Sequence, residues 1–443
     1  MIVMKFGGSS VANAERIRYV TGIVKPLLDQ KPVLVLSAMG DTTDHLLEAA
    51  DQALQGIVSI EKIENLHKQT IKDLGLDAQV LQDVDALLGE LKSLLVGISL
   101  IKELTNRTKD YLVSFGERLS IRIAASYFRT AGINAKALDA WDAGFRSDAN
   151  YSQAEVLSEA WESIANTLIP LVDSGVLPVV TGFIAKDFQG NITTLGRGGS
   201  DLTATIIGAA CKVQEVQVWK DVDGILTADP RLVKTAHPVE AVTYEEAAEL
   251  AYFGAQVLHP RSMQPCIATG TTVRVKNSYN PAAPGTRIVA KLDGQTGPVR
   301  AITSKKNVTL VDIVSSRMLG QYGFLAGVFQ AFSTHKISVD MVATSEVSIS
   351  LTLDAAHDLG ALKRDLEKIA SVTIKEKKAI ITIIGDVRRS SEILERAFGV
   401  CSSLGVQVQM ISQGASKVNI SFIVDDAEAP QVVQGLHRAF FEA

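Results

Sequence analysis

Cysteine is scarce in this sequence of 443 residues, and the three cysteines, Cys211, Cys266 and Cys401, lie far apart. Their number is odd and their neighbours are apolar, which favours buried thiols in a reducing compartment over a disulfide framework. The seven histidines form no HExxH pattern, and no CxxC pair is present. No metal site built from protein side chains is therefore predicted.

Positive charge and long apolar runs are also lacking. The formal net charge of −5 offers no basic field to nucleic acid. The longest apolar runs, such as GVLPVVTGFIA at 175–185, are too short to span a bilayer. The start, MIVMKFGG, indicates a first strand rather than a secretory signal. A cytoplasmic protein with neither nucleic-acid nor membrane partners is expected.

The two commonest phosphate-binding signatures, GxxxxGK[ST] and GxGxxG, are absent. Another glycine-rich link stands out instead: TTLGRGGSD at 193–201 joins an apolar strand pattern to an apolar helix pattern. Glycines at such a link let the backbone approach a ligand, and the first amides of the following helix favour an anion. The link predicts a phosphate or carboxylate site, unless the glycines only form a tight turn.

The order of apolar patterns predicts an α/β fold. IVMKFGG and KPVLVLSAMG are strand patterns with an amphipathic helix between them, which indicates a parallel sheet with crossovers. A helical elaboration is predicted from about 44 to 110. Further helices are predicted over 152–173, 200–211 and 244–252. A Pro- and Gly-rich stretch, NPAAPGTRIV, closes a first domain, predicted as 1–290.

The remainder, 296–443, repeats itself. Residues 307–354 and 379–425 each carry a strand, a loop with Gly or Ser, an amphipathic helix and two more strands. Two small β-α-β-β modules of the ferredoxin-like type are predicted, at about 307–375 and 376–443, with interleaving left open. Chance resemblance between two αβ segments is the alternative.

Several short stretches carry groups suited to phosphate chemistry. MKFGGSSV places Lys5 at a strand end before Gly7, Gly8 and Ser9, where amides and a positive charge could hold phosphate oxygens. SFGERLS places Glu117 where it could hold a substrate ammonium. SAMGDTTD ends a strand in hydroxyls, and the Asp-rich WKDVDGILTADPR (219–231) fits a nucleotide and magnesium site. Taken singly, each could be an ordinary turn or a solvated charge.

Taken together and in order, KFGGSSV, SFGER, TLGRGGSD, WKDVDGI with DPR, and FGAQVLHP resemble the aspartokinases of the amino-acid-kinase superfamily. The resemblance covers essentially the full length. It implies an αβα sandwich catalytic domain followed by a regulatory pair of ACT modules. It also implies transfer of phosphate from ATP, with Mg²⁺ accompanying the nucleotide, to L-aspartate, giving 4-phospho-L-aspartate and ADP. No fused homoserine dehydrogenase is expected in a chain of this length.

The resemblance also implies roles for individual residues. Lys5, Arg197 and Asp201 would be catalytic. Aspartate would be bound by Thr43, Glu117, Arg197, Gly198, Gly199 and Ser200. ATP would be bound by Lys5, Gly7, Gly8, Ser9, Lys220, Asp221, Leu226, Arg231, Gln256 and Val257. The sequence departs from some relatives in two places, with Leu226 where they have a tyrosine and Gln256 where they have a lysine. Lys220, where those relatives have a threonine, could replace the positive charge lost at Gln256.

In the regulatory half, MLGQYGFLAGVF and VDMVATSEVS resemble the lysine-inhibited branch. An effector L-lysine would contact Met318, Gln321, Phe324, Leu325, Val339, Asp340, Ser345 and Glu346. Its site would lie between ACT modules of two subunits, which implies a homodimer or homotetramer. Solvated loop charges are the alternative for Asp340 and Glu346.

Two other functions remain open from the sequence. One is an amino-acid kinase with a different acceptor, such as acetylglutamate, glutamate or carbamate; Arg197 with Glu117 favours a free amino acid instead. The other is a non-catalytic ACT sensor of amino acids, which the presence of Lys5, Arg197 and Asp201 disfavours.

Overall fold

The computed structural model describes residues 1–253, 258–292, 297–315, 322–354, 359–414 and 416–442. The chain forms two compact units. The first contains 1–225, 240–244 and 257–292; the second contains 226–239, 245–256 and 293–443. No helix in the described ranges is long and apolar enough to cross a membrane. All three cysteines are buried and unpaired, as predicted.

The first unit is built on an eight-stranded sheet with the strand order β3-β4-β2-β1-β7-β9-β10-β8. Every neighbouring pair is parallel except β9 and β10. Its strands, with the separate β5–β6 hairpin, are β1 Ile2–Phe6, β2 Pro32–Leu36, β3 Ala135–Leu138, β4 Leu177–Thr181, β5 Ile184–Lys186, β6 Ile192–Thr194, β7 Glu215–Lys220, β8 Ala241–Thr243, β9 Thr272–Asn277 and β10 Thr286–Val289.

Helices cover both faces of this sheet. They are α1 Ala14–Val24, α2 Thr42–Leu54, α3 Glu61–Leu74, α4 Ala78–Ile101, α5 Asn106–Thr130, α6 Ala160–Asp173, α7 Gly199–Ala210 and α9 Pro260–Thr269; α8, Tyr244–Tyr252, has only its first residue in this unit. The first five share one core with alternate residues of β1, namely Ile2, Met4 and Phe6. α6, α7 and α9 lie on the other face. This layering agrees with the α/β fold predicted from the sequence.

The predicted helix over 152–173 is wrong in its first part. α6 begins only at Ala160. The preceding residues pair with extended backbone instead: the Ala154 amide donates to the Thr194 carbonyl (2.9 Å), and the Leu157 amide donates to the Arg146 carbonyl (2.9 Å). These pairings with distant segments override the local helical pattern.

The second unit is a six-stranded antiparallel sheet with helices on it, in the order β12-β13-β11-β14-β16-β15. Its elements are β11 Val299–Val314, α10 Phe324–Thr334, β12 Met341–Thr344, β13 Ser348–Asp354, α11 Gly360–Leu366, β14 Ser371–Gly385, α12 Ser390–Ser403, β15 Met410–Ser412, β16 Asn419–Asp425 and α13 Ala429–Phe441. Most of α8 also belongs to this unit.

Two long strands join the two sequence copies in one sheet. The start of β11 pairs with the end of β14, and the end of β11 pairs with the start of β14. Residues 226–239 contribute Ala228 and Val233 to the core beside α12 and α13. Phe253 packs with Met341 and Met410 in another core cluster. Segments that precede residue 290 in sequence therefore help to form the second unit.

Candidate active site

A cleft of about 840 Å³ in the first unit brings nine predicted residues together. They are Lys5, Gly8, Thr43, Glu117, Arg197, Gly198, Gly199, Ser200 and Asp201. The loops after β1, β2 and β6 line it, together with α5 and the start of α7. Because β1 and β2 are parallel neighbours, their carboxyl ends meet at one sheet edge, which is where α/β proteins place ligands.

Asp201 lies between two lysine ammonium groups at this edge. Its Oδ1 is 2.6 Å from Lys5 Nζ, and its Oδ2 is 3.3 Å from Lys220 Nζ. Burial alone would raise the pKa of Asp201, but the charges of Lys5 and Lys220 hold that pKa below its usual range. The three groups therefore carry one net positive charge at neutral pH, which suits them to an anionic ligand.

The position of this ion pair follows from strand alternation and one close helix approach. Lys5 lies on the central strand β1, opposite Val35 and Val218, and points to the face that α7 covers. A Cβ atom at Gly208 of α7 would lie 2.2 Å from Val216 Cγ2. The absence of a side chain there lets α7 lie close to β7, with Asp201 within reach of Lys5.

The glycine-rich link makes the turn into α7, and within that turn the Gly199 amide donates to the Gly196 carbonyl (3.0 Å). Gly196 and Gly198 have φ values of 74° and 72°, in the left-handed region that glycine adopts without strain. α7 begins at Gly199, and no side chain caps it. Its first turn can therefore donate to an anion, as the sequence predicted.

Arg197, between these two glycines, is an exposed guanidinium that lines the cleft. Within the described ranges it forms no ion pair. A planar guanidinium that its own chain leaves unengaged can take a carboxylate through two parallel hydrogen bonds.

Glu117 is a buried carboxyl on α5. Its Oε1 accepts a hydrogen bond from the Ala38 amide (3.2 Å), while its buried Oε2 has no partner within the described residues. Burial raises the pKa of Glu117 to about 8, although the Ala38 amide and the charge of Lys5 act in the opposite direction. Without a ligand the group is mostly protonated at neutral pH, and an arriving ammonium would favour its ionised form.

The glycine of SFGER explains how Glu117 reaches the cleft. A Cβ atom at Gly116 would lie 2.7 Å from the Ala38 Cβ atom. Only a glycine lets α5 pack this tightly against the loop after β2. That loop is itself joined to the loop after β1, since the Gly40 amide donates to the Gly8 carbonyl (3.1 Å).

The other predicted residues of these two loops differ in position. Thr43 is partly buried in the first turn of α2 and lines the cleft. Gly7 lies beside Lys5, since a Cβ atom there would be 3.8 Å from Lys5 Nζ. Ser9 is exposed, and its carbonyl accepts a hydrogen bond from the Tyr279 hydroxyl (3.2 Å).

Asp110 is a site residue that the sequence reasoning missed. It is buried and lines the cleft. It accepts hydrogen bonds from the amides of Ser152 and Thr194, both at 2.8 Å, and thereby ties α5 to the end of β6 just before the glycine-rich link. Asp110 precedes Glu117 by seven residues, which is two helical turns and places both on the same face of α5. That spacing in the sequence could have identified Asp110 as a site residue.

The residues predicted to bind ATP are divided between the two units, and two of them lie outside the described residues. Lys220 ends β7 beside Asp201, and Asp221 follows it, exposed. Arg231 belongs to the second unit with Leu226; its exposed guanidinium pairs with Asp229 at 2.7 Å. Gln256 and Val257 lie outside the described residues. In the described ranges no group of three or more His, Cys, Asp or Glu side chains could hold a metal ion.

The predicted effector residues lie around one edge of the second unit's sheet. Phe324 and Leu325 begin α10, while Val339 and Asp340 directly precede the edge strand β12. Ser345 and Glu346 are exposed in the turn between β12 and β13. Met318 and Gln321 lie outside the described residues.

Asp340 already has partners in the second unit. Its side chain is 4% exposed, pairs with Lys305 at 2.7 Å and accepts a hydrogen bond from the Tyr252 hydroxyl at 2.6 Å. Lys305 also reaches Asp354, at 2.7 Å. Sequence reasoning did not identify Lys305 or Tyr252, since both lie far from Asp340 along the chain.

Comparison with known families agrees with this architecture. Residues 1–277 match the amino acid kinase family, and residues 311–364 and 381–440 match an ACT domain. The α/β catalytic fold and the ACT pair expected from the resemblance are confirmed.

Individual relatives are similar over the whole chain. Aspartokinase 1, chloroplastic, of Arabidopsis thaliana is 52% identical, across 100% of this chain and 80% of the relative. The crystal structure of E. coli aspartokinase III with aspartate and ADP, in the R-state, is 32% identical with a TM-score of 0.80 and full coverage of both chains. The same enzyme with lysine and aspartate, in the T-state, is 33% identical with a TM-score of 0.82, across 100% of this chain and 99% of that one. The chain therefore belongs to the aspartokinases, within the amino acid kinase family.

Proposed function

We propose that the protein transfers the γ-phosphoryl group of ATP to the β-carboxylate of L-aspartate, giving 4-phospho-L-aspartate and ADP, and that L-lysine inhibits it. The observation that carries the proposal is a single cleft that holds the Lys5–Asp201 pair, Arg197 and Glu117. Similarity to the E. coli enzyme solved with aspartate and ADP, and with lysine, supports it.

The acceptor is held by two groups of opposite charge. Arg197 binds a carboxylate of aspartate, and Glu117 receives its ammonium, with Thr43 adding a hydroxyl contact. Gly198, Gly199 and Ser200 complete the proposed acceptor site; the amides of Gly198 and Ser200 are suited to the same carboxylates, whereas the Gly199 amide already donates to the Gly196 carbonyl (3.0 Å). Asp110 acts by positioning, because it fixes the end of β6 against α5.

The transfer itself needs no proton acceptor. An oxygen of the β-carboxylate, already ionised at neutral pH, forms a bond to the γ-phosphorus while the bond from that phosphorus to the ADP oxygen breaks. The difficulty is to bring an anion against a polyanion. Lys5 supplies positive charge at the transferring phosphoryl group, and Asp201 holds Lys5 and Lys220 in place.

The proposed nucleotide and metal contacts follow from the resemblance to the aspartokinases. Gly7, Gly8 and Ser9 would contact the phosphates, and Lys220 with Asp221 would lie beside them. Leu226, Arg231, Gln256 and Val257 remain predictions from the resemblance. Mg²⁺ would enter with the nucleotide and neutralise phosphate charge, as in phosphoryl transfer generally.

Regulation is proposed to act through the ACT modules of a homodimer or homotetramer. Glu346 is the exposed carboxylate of the proposed effector site, whereas Asp340 already pairs with Lys305 at 2.7 Å, so lysine would have to share or displace that contact. An effector bound between subunits would shift an equilibrium of the whole assembly, so inhibition would be cooperative. A cytoplasmic location remains a prediction from the sequence.

The first test concerns the acceptor clamp. Arg197→Lys keeps the charge but loses the planar fork, so the KM for aspartate should rise strongly while the KM for ATP changes little. The loss of transition-state stabilisation, measured from kcat/KM for aspartate, should be on the order of 2–4 kcal/mol. A larger effect on ATP than on aspartate would contradict the role of Arg197.

The second test uses the raised pKa of Glu117. In the free enzyme this carboxyl is protonated below about pH 8 and ionised above it. Since only the ionised form attracts the substrate ammonium, kcat/KM for aspartate should rise with pH through this range and then level off. Glu117→Gln should lower kcat/KM and remove the rise. The same inflection in the variant would assign it to another group.

The third test concerns the effector site. Glu346 is exposed in the second unit, so Glu346→Ala should leave the uninhibited rate nearly intact while weakening lysine inhibition strongly. Initial rates against lysine concentration for the variant and the unmodified protein measure both effects. Superimposed inhibition curves would remove Glu346 from the effector site, and inhibition by threonine instead of lysine would contradict the proposed effector.

A further inference from the structure

A second cavity of about 420 Å³ lies in the first unit, and α5 contributes to it as well as to the active-site cleft. Glu117 lines the cleft, whereas the next residue, Arg118, lines the second cavity. We name this space the Arg118 cavity. Its full lining is Glu90, Leu94, Arg107, Thr108, Tyr111, Arg118, Trp141, Lys186, Gly190, Asn191 and Ile192.

Positive charge predominates in the Arg118 cavity. Three cationic side chains line it, Arg107, Arg118 and Lys186, against one acidic side chain, Glu90. The carboxylate of Glu90 is already engaged, because it accepts hydrogen bonds from the Tyr111 hydroxyl and, at 3.4 Å, from Arg118. The lining therefore has a net charge of +2, in a chain whose formal net charge is −5.

Arg118 is held there with unused donors. Its side chain is only 11% exposed, and its Nε and Nη1 atoms are buried without a hydrogen-bond partner within the described residues. The other nearby carboxylate, Asp139, is 3.9 Å from Nε but accepts both hydrogen bonds of the Arg122 fork, at 3.1 and 3.0 Å. A buried guanidinium with unmade hydrogen bonds is costly, so further negative charge beside Arg118 is favourable.

The cavity also has a flat apolar wall. Lys186 Nζ lies 4.0 Å from the centre of the Trp141 ring, and the Arg118 guanidinium carbon lies 5.9 Å from it. Leu94 and Ile192 add aliphatic surface. Cations beside an aromatic ring suit a ligand that combines negative charge with a planar body.

We infer that the Arg118 cavity binds a small organic dianion with a flat apolar body, either a phosphate monoester or a dicarboxylate. Two negative charges match the net charge of the lining, and a volume of about 420 Å³ accommodates a ring that carries such groups.

Binding there is coupled to the acceptor site through two elements. Helix α5 carries Glu117 and Arg118 in succession, and the short strand β6 has Ile192 in the cavity and Thr194 in the cleft. A ligand with unequal affinity for the aspartate-bound and aspartate-free states would act through these elements as an effector of aspartate binding. This regulatory role rests on the proposed function, whereas the binding itself does not.

The test is calorimetric titration of the full chain with phenyl phosphate and, separately, with phthalate, in the presence of saturating ADP and aspartate to fill the active site. One saturable site per chain is expected for at least one probe. Arg107→Gln and Lys186→Gln should each weaken binding by about tenfold or more. Arg107 is exposed, so its replacement leaves the core intact.

Lys92→Gln is the matched control. Lys92 is exposed on α4, the helix that carries Glu90 and Leu94, but it does not line the cavity. The control should bind the probe as the unmodified protein does, which separates a specific site from general electrostatic attraction.

Each outcome decides the inference. Binding of phenyl phosphate alone assigns a phosphate monoester, binding of phthalate alone assigns a dicarboxylate, and binding of both supports a site for either dianion. Failure of both probes, unchanged binding in Arg107→Gln and Lys186→Gln, or an equal loss in Lys92→Gln would overturn it. Aspartate phosphorylation is assayed separately in each preparation, so failure of the proposed function would appear there and not in the titration.

Discussion

A carboxylate buried between two ammonium groups is the interaction on which the active site depends. Asp201 is held at 2.6 Å from Lys5 and at 3.3 Å from Lys220, in a place where a lone charge on the buried Asp201 or Lys5 would be costly. This contact requires β1 and β7 to be parallel neighbours, because Lys5 and Lys220 then lie at the same edge of the sheet. It also requires α7 to begin at a glycine-rich link and to lie close to β7. The charged groups therefore meet only because the strand order and the glycines of the link place them together.

The cleft contains two carboxyl groups with opposite properties. The charges of two lysines hold Asp201 ionised, whereas burial with few donors raises the pKa of Glu117 to about 8. An ionised Asp201 keeps its ammonium partners fixed for the phosphates. A carboxyl that is easily protonated can remain buried without a cation until a substrate ammonium arrives. Environment, and not residue type, separates the two roles.

Local signals in the sequence predicted the parts of the structure that depend on neighbouring residues. The glycine-rich link, the strand-to-helix turns and the duplicated ACT pattern were all visible, and the order of the motifs identified the family. Pairings between distant segments were not visible. The backbone of residues 152–159 is extended because it pairs across the chain, and Asp340 pairs with Lys305 through the fold of the second unit. Burial sets the pKa of Glu117, and no local pattern encodes that burial.

Lys5 is proposed to stabilise the negative charge that shifts on the phosphoryl group in the transition state, and to contribute much less to the binding of ATP. The most direct measurement is the turnover of Lys5→Ala beside its Kd for ATP, with circular dichroism to verify that the variant folds. The account predicts that kcat falls on the order of 10²–10³-fold while the Kd for ATP changes only a few-fold, because the lost charge matters most in the transition state. Near-normal turnover would contradict it and would assign that role to Lys220 or to the magnesium that accompanies ATP.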